Sequence, residues 1–291
     1  MKIQQLGEFG LIDLMARQLR ADPRVIRGIG DDTAVLPYNS HKYLLFTTDM
    51  LAENVHFTRR MSAVDVGHKA LACNISDIAA MGGLPTFAVV SIGVPKNLSV
   101  SYVNDLYKGM QKLASQFGVS IVGGDTIKSD KIVINVALLG EVEKKNLVTR
   151  DGARKGDWVF VTGALGGSLK SSKHLRFIPC VKQAQFLVKN FKPSAMMDVS
   201  DGLAGDLNHI LKSSKVGAEL WKEDIPRIKG CTLQQALIDG EDFELLFTLT
   251  ETKAKKLLDW QQKNKKWFFY PVGIITSNKK QLVSVKGFTH F

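Results

Sequence analysis

In residues 66–94, VGHKALACNISDIAAMGGLPTFAVVSIGV, two hydrophobic periodicities meet. Ala70, Leu71, Ile75, Ile78 and Ala79 recur at helical spacing, so Val66–Met81 is expected to be a helix with one buried side. Gly82-Gly83 supplies its C-terminal stop. Phe87–Val94 is a short continuous apolar run, the pattern of a buried strand. Asp77 puts a carboxylate inside the apolar helix, with Asn74 three residues earlier on the same face.

Outward from this stretch the same alternation continues. Phe9, Leu11, Ile12, Leu14, Met15 and Leu19 make a first helix, stopped by Pro23. Ala34–Leu36 and Tyr43–Thr48 read as strands. Ser99–Phe117 is a second long helix capped by Gly118. Ser120–Val122 is a short strand ending in Gly-Gly-Asp, and Ile132–Leu139 is another. The polar, glycine-punctuated run EKKNLVTRDGARKGD (143–157) separates two halves and sets expected domains at 1–145 and 146–291. The second half opens with strand Trp158–Thr162, a glycine turn at Gly163–Gly167 and a helical region to Lys192. Strand Ala195–Val199, helix Leu203–Lys212, strand Phe243–Leu249, helix Thr252–Lys265 and a strand region Trp267–Ile275 follow. Helices and strands interspersed in both halves mean an α/β (α+β) fold.

The chain has 291 residues, 45% of them hydrophobic, which is enough to bury a core without disulfide or metal staples. No apolar run approaches the roughly 18–20 residues of a membrane helix, so no membrane partner is expected. Lys and Arg exceed Asp and Glu by 39 − 28, a net charge of +11. Such a balance admits nucleic acid or phosphorylated small molecules. The stretch KAKKLLDWQQKNKKWFFY (253–270) is the densest basic run, but it reads as an amphipathic surface helix, so no nucleic-acid partner is expected. Cys73, Cys180 and Cys231 form no CxxC and no even framework. The N-terminus lacks the apolar core of a secretory signal. Both point to the cytoplasm.

The informative residues are acidic. Asp31-Asp32 precede an apolar strand, Asp49 and Asp125 follow strands, and Asp198 follows Ala195–Met197 with Asp201 three residues on. Each carboxylate stands where the chain is about to be buried, which is costly unless it is paired or holds a cation. Hard cations such as Mg²⁺ take oxygen ligands, often one or two carboxylates with substrate phosphates. A single such aspartate is ordinary turn or cap chemistry. The set, with Gly28, Gly30, Gly123, Gly124 and Gly202 beside it, suits a multi-metal phosphate site. There is no GxxxxGK[ST], no GxSxG and no HExxH, which sets aside the P-loop, the serine hydrolase and the zinc protease.

The motifs GEFGLID (7–13), GIGDDTAVL (28–36), TTDMLAENVHF (47–57), HKALACNISDIAAMGG (68–83), VGGDT (122–126), TRDGARKGDW (149–158), DVSDGLAGDL (198–207), GEDFELLF (240–247) and KGFTHF (286–291) stand in one order. That order resembles the thiamine-monophosphate kinases, within the aminoimidazole ribonucleotide synthetase superfamily. The resemblance implies a two-domain fold whose N-terminal domain forms a homodimer and whose C-terminal domain covers the site. It implies phosphoryl transfer from ATP, as co-substrate, to thiamine monophosphate, giving thiamine diphosphate with several Mg²⁺ ions. By the same resemblance Asp32, Thr47, Thr48, Asp49, Asp77, Asp125, Asp198 and Asp201 match metal positions. Gly124, Asp125, Arg150 and Ser200 match ATP contacts, and His56, Glu241 and Phe288 match substrate contacts. Asp239 stands where the family usually has a second glycine, and Arg176–Cys180 departs from the family's Pro-x-Pro-Arg run.

Overall fold

The computed structural model describes residues 2–20 and 22–278. Its first half contains helix α1 (Ile3–Ala16), strands β1 (Ala34–Pro37) and β2 (Lys42–Ala52), helix α2 (Ala63–Ala80), β3 (Leu84–Val94), α3 (Val100–Phe117), β4 (Ser120–Lys128) and β5 (Val133–Glu143). The second half contains β6 (Trp158–Val161), three short helices α4 (Ser168–Ser171), α5 (Lys173–Arg176) and α6 (Val181–Asn190), β7 (Ala195–Asp198) and α7 (Leu203–Ser214). It continues with β8 (Gly217–Leu220), α8 (Leu233–Ile238), β9 (Leu245–Leu249), α9 (Glu251–Asn264) and β10 (Tyr270–Thr276). Strand β8 and helix α8 have no counterpart in the sequence reading, because both are short and carry little periodicity. Among the described residues no helix is long and apolar enough to cross a membrane.

Each half carries one five-stranded sheet, in the orders β1-β2-β5-β3-β4 and β7-β9-β6-β10-β8. Among the strand pairs of the described residues, β3–β4 alone is parallel, with α3 as its crossover. The remaining pairs are antiparallel, so the interspersed pattern resolves as α+β. Strand β5 alternates between half-buried and buried along its length. Its buried residues Ile134, Val136 and Leu138 face the helical layer.

Helix α2 is the axis of the molecule. It is buried on almost every side, because it packs on the first sheet and α3 and also meets α5, α6 and β7 of the second half. One hydrophobic core therefore runs from Leu45, Ile78 and Leu138 across to Leu187, Phe160 and Phe247. Helix α3 shows the ordinary surface pattern, with a single stripe of Leu106, Gly109, Met110, Leu113 and Ala114 inward. Ser99 accepts the Tyr102 N–H at its start, and Gly118 closes it in the left-handed conformation at φ 69°.

The two long helices touch backbone to backbone. A Cβ at Gly109 would run into the Val64 carbonyl oxygen, and one at Gly67 into that of Leu106. Gly109→Ala should therefore destabilise the fold by about 1–3 kcal/mol, although alanine is intrinsically the better helix former. Urea unfolding checks this; an unchanged or raised midpoint would count against the tight crossing.

Candidate active site

Three chain segments from both halves bring their aspartates to one point. Asp32 precedes β1, Asp77 lies in α2 and Asp198 ends β7. One carboxylate oxygen from each lies within 4.8 Å of the others. Three like charges this close, in a place water barely reaches, cannot all ionise cheaply. Burial pushes Asp198 up to about 7, with the charge of Asp32 adding to it. Asp77 is pushed well above the usual carboxylate range, by burial and then by Asp49 and Asp198. Asp31 is raised to about 7 by burial and by Asp32, and Asp49 to about 6 by burial and by Glu241.

Hydrogen-bond donors offset part of this repulsion. The Ser76 hydroxyl donates to Asp198 Oδ2 at 2.5 Å, tying α2 to β7. The Thr47 hydroxyl donates to Asp77 Oδ2 at 2.6 Å. Arg150, from the segment between the halves, places Nη2 2.6 Å from Asp32 Oδ1, and its backbone N–H points at Asp31 Oδ1 at 3.3 Å. Burial opposes the charge on Arg150, but Asp32 and Asp31 outweigh it and raise the guanidinium pKa.

The donors do not finish the task. Asp32 Oδ2 is buried without a hydrogen-bond partner, as is Arg150 Nε. A desolvated carboxylate oxygen beside two further carboxylates is an all-oxygen donor set for a hard divalent cation, so the residues fit Mg²⁺.

Two cavities meet at this cluster. One, of about 250 Å³, is lined by Glu8, Asp49, His56, Cys73, Asp77, Ser200, Asp201, Glu241 and Phe243, among others. The other, of about 840 Å³, is lined by Asp31, Asp32, Thr47 and Thr48 together with apolar Val25, Ile29, Leu36 and Phe46. The carboxylates thus stand between a small polar cavity and a larger, mostly apolar one.

The remaining expected residues are placed as follows. Asp49 lies inside β2, not after a strand, and its N–H donates to Asn74 Oδ1 at 3.1 Å. His56 Nδ1 accepts the Ala52 N–H at 3.0 Å, which puts the ring proton on Nε2. Glu241 is ion-paired to Lys69. Strand β4 runs on through Gly123, Gly124 and Asp125, so the expected turn there is strand instead. The reason is pairing: Gly124 lies against Val90, where a Cβ would strike the Val90 carbonyl oxygen. Within one chain Thr48, Gly124 and Asp125 are exposed, and Asp125 is outside the clustered triad. Phe288 lies outside the described residues.

Among the described residues, Asp31, Asp206 and Lys69 stand at the site without having been expected as site residues. Asp31 was visible as half of a doubled Asp-Asp. Asp206 is 1% exposed, and its Oδ2 accepts the Asp201 N–H at 3.1 Å; an aspartate in the first turn of a helix is ordinary N-terminal chemistry and gave no signal. Lys69 is wholly buried, and nothing in the sequence set it apart from the other lysines. The Arg176–Cys180 departure turns out to brace the Glu-Asp-Phe-Glu turn. Arg176 pairs with Asp65 at 2.7 Å, and Phe177 stacks on Phe243 with ring centroids 4.1 Å apart.

Comparison with known proteins agrees with this architecture. The family model for AIR synthase related protein, N-terminal domain, matches residues 30–142. The thiamine-monophosphate kinase of Aquifex aeolicus (strain VF5) is 37% identical, across 100% of this chain and 100% of that protein. The chain belongs to the thiamine-monophosphate kinase family. The family member of Bacillus subtilis (strain 168) is 36% identical over 87% of this chain and 86% of its own length. A solved structure of AaThiL complexed with AMPPCP and TMP matches with a TM-score of 0.89 at 37% identity, covering 100% of this chain and 99% of that one.

The raised carboxylate pKa values have a sign. Between the unfolded value of about 4 and the folded values near 6–7, the folded state holds more protons, so metal-free stability falls as pH rises through that window. A cation bound by ionised carboxylates offsets the loss. Mg²⁺ should therefore raise the melting temperature more at pH 8 than at pH 5.5. Thermal unfolding with and without Mg²⁺ measures this, and an increment that is absent or larger at pH 5.5 would sink the metal reading of the cluster.

Proposed function

We propose that this chain transfers the γ-phosphoryl group of ATP to thiamine monophosphate, giving thiamine diphosphate and ADP. The observation that carries the reading is the carboxylate cluster standing between two cavities of unlike character, in a chain similar to thiamine-monophosphate kinases from end to end. The AMPPCP and TMP named in the solved relative are an ATP analogue and the phosphate acceptor by this reading.

The larger, mostly apolar cavity suits the nucleoside, and the smaller polar cavity suits the acceptor. A phosphate oxygen of thiamine monophosphate attacks the γ-phosphorus while the bond to the β-phosphate oxygen breaks. That oxygen is already ionised, so no strong general base is needed. His56, with its proton on Nε2, is a donor in the acceptor cavity and not a base. Asp32, Asp77 and Asp198 would hold Mg²⁺, with Asp49 and Asp201 beside them in the acceptor cavity. Bound magnesium would neutralise phosphate charge and hold the two phosphates in line. Arg150 is the nucleotide-phosphate contact in this reading; Asp32 holds its Nη2 and Asp31 accepts from its backbone N–H. Ser200 and Asp201 follow the buried Asp198, which brings the second half against the reacting phosphates.

We read residues 1–145 and 146–291 as two domains, each built on one sheet. The first sheet supports a homodimer. Its face away from α2 and α3 aligns Phe46, Leu139 and Phe87 in one row and Thr48, Ala137 and Val89 in the next. Phe46, Phe87 and Val89 are each more than two-fifths exposed on it. A contiguous apolar sheet face of this kind marks an interaction surface. Asp125 sits on that face through its pairing with Ser91, so a second copy would enclose Gly124 and Asp125. A cytoplasmic location fits the three free thiols.

Purified protein with ATP, Mg²⁺ and thiamine monophosphate should form thiamine diphosphate, resolved by chromatography, and EDTA should abolish it. Asp77→Asn should keep the fold and lower kcat by about a hundredfold or more; wild-type turnover in that variant would remove the carboxylates from the reaction. Phe87→Glu should shift the protein from dimer to monomer in sedimentation, and an unchanged dimer would place the interface elsewhere.

A further inference from the structure

Lys69 is 0% exposed although it carries a charge. Its ammonium pairs with Glu241 Oε2 and donates to the His56 carbonyl oxygen at 3.3 Å. These two partners come from opposite halves of the chain, and both line the acceptor cavity. On α2, Lys69, Cys73 and Asp77 are spaced four residues apart, so they share one face. Eight residues separate the ammonium from the carboxylate cluster, roughly 12 Å along the helix. One face of α2 therefore spans the acceptor cavity, with phosphate chemistry at the Asp77 end and a buried cation at the other.

Glu241 is held by more than this pair. Its backbone is left-handed, at φ 57°, as is that of Phe243 at φ 52°. The Glu241 N–H donates to the Ser200 carbonyl at 2.6 Å. Every acidic neighbour in the turn is clamped too. Asp242 accepts from Gly166 N–H and the Ser168 hydroxyl, and Glu244 from Thr162 and Lys173. Strain of this kind persists only where the surroundings over-determine it, and it marks a turn kept for what it presents.

We propose that Lys69 is a positioning residue for the organic end of the phosphate acceptor. By committing one Glu241 oxygen and the His56 main chain, it orients the carboxylate that meets the amino group and cationic ring of thiamine monophosphate. The proposal rests on thiamine monophosphate being the acceptor. Since the phosphate must lie toward Asp77, the ring system lies toward Lys69. Lys69 itself need not touch the substrate.

The test compares wild type with Lys69→Met, using two acceptors. One is thiamine monophosphate; the other is the thiazole monophosphate that lacks the aminopyrimidine. With thiamine monophosphate, KM for the acceptor should rise about tenfold or more, while KM for ATP stays within about twofold. With the truncated acceptor, the variant and wild type should have equal KM. Both KM values rising together, or an equal penalty on the truncated acceptor, would overturn the proposal, because a general structural role predicts that result. If Lys69→Met fails to fold, Lys69→Gln, which keeps a donor at that position and leaves Glu241 in place, carries the same comparison. Wild type that turns over no thiamine monophosphate would instead bring down the kinase reading, and this proposal with it.

Discussion

The crowding of Asp32, Asp77 and Asp198 is the constraint around which the rest of the molecule is arranged. Three carboxylate oxygens within 4.8 Å repel one another, and poor solvation strengthens that repulsion. A fold that assembles such a point must hold it rigidly, because any relaxation would let the charges separate. The rigidity comes from α2. Its burial between two sheets leaves Asp77 no freedom to swing away, and Ser76, the preceding residue, fastens Asp198 to the same helix. The close approach at Gly67 and Gly109 keeps α2 seated against α3.

Opposing this repulsion are a few donors and one cation, each drawn from a different segment. Arg150 takes Asp32 and Asp31, and Thr47 takes Asp77. The balance is incomplete: Asp32 Oδ2 is left without a partner. An unsatisfied carboxylate oxygen beside two others makes a donor set that a bound hard cation would complete. Stability is lost locally where it serves the chemistry.

The Glu241 turn follows the same logic from the other side of the cavity. Left-handed backbone at two non-glycine residues is unfavourable in isolation. Here Lys69, Ser168, Lys173 and the Phe177 ring hold it from four directions. The Arg176–Cys180 run, which departs from the family pattern, supplies part of that support through its aromatic ring and its ion pair with Asp65. Its role here is structural, and its divergence leaves the carboxylate cluster intact.

Much of this protein was legible from its sequence alone. Helical periodicity in Val66–Met81 and Ser99–Phe117, the Gly82-Gly83 and Gly118 stops and the apolar run Phe87–Val94 are local signals, and local backbone physics is sufficient to read them. The ordered motifs identified the family for the same reason, since chemistry constrains residue types at fixed places along the chain. Strand extent was not legible at Asp49 and Asp125. Pairing with β5 and β3, not propensity, carries those strands onward. The convergence of Asp32, Asp77 and Asp198 was expected only as a set, because which carboxylates meet depends on how the two sheets close around α2. Lys69 shows the difference most sharply: in the sequence it is one lysine among many, and only burial against Glu241 of the other half makes its charge consequential. Residue type and periodicity belong to the sequence; proximity between distant segments, and the dielectric in which their charges meet, belong to the tertiary structure.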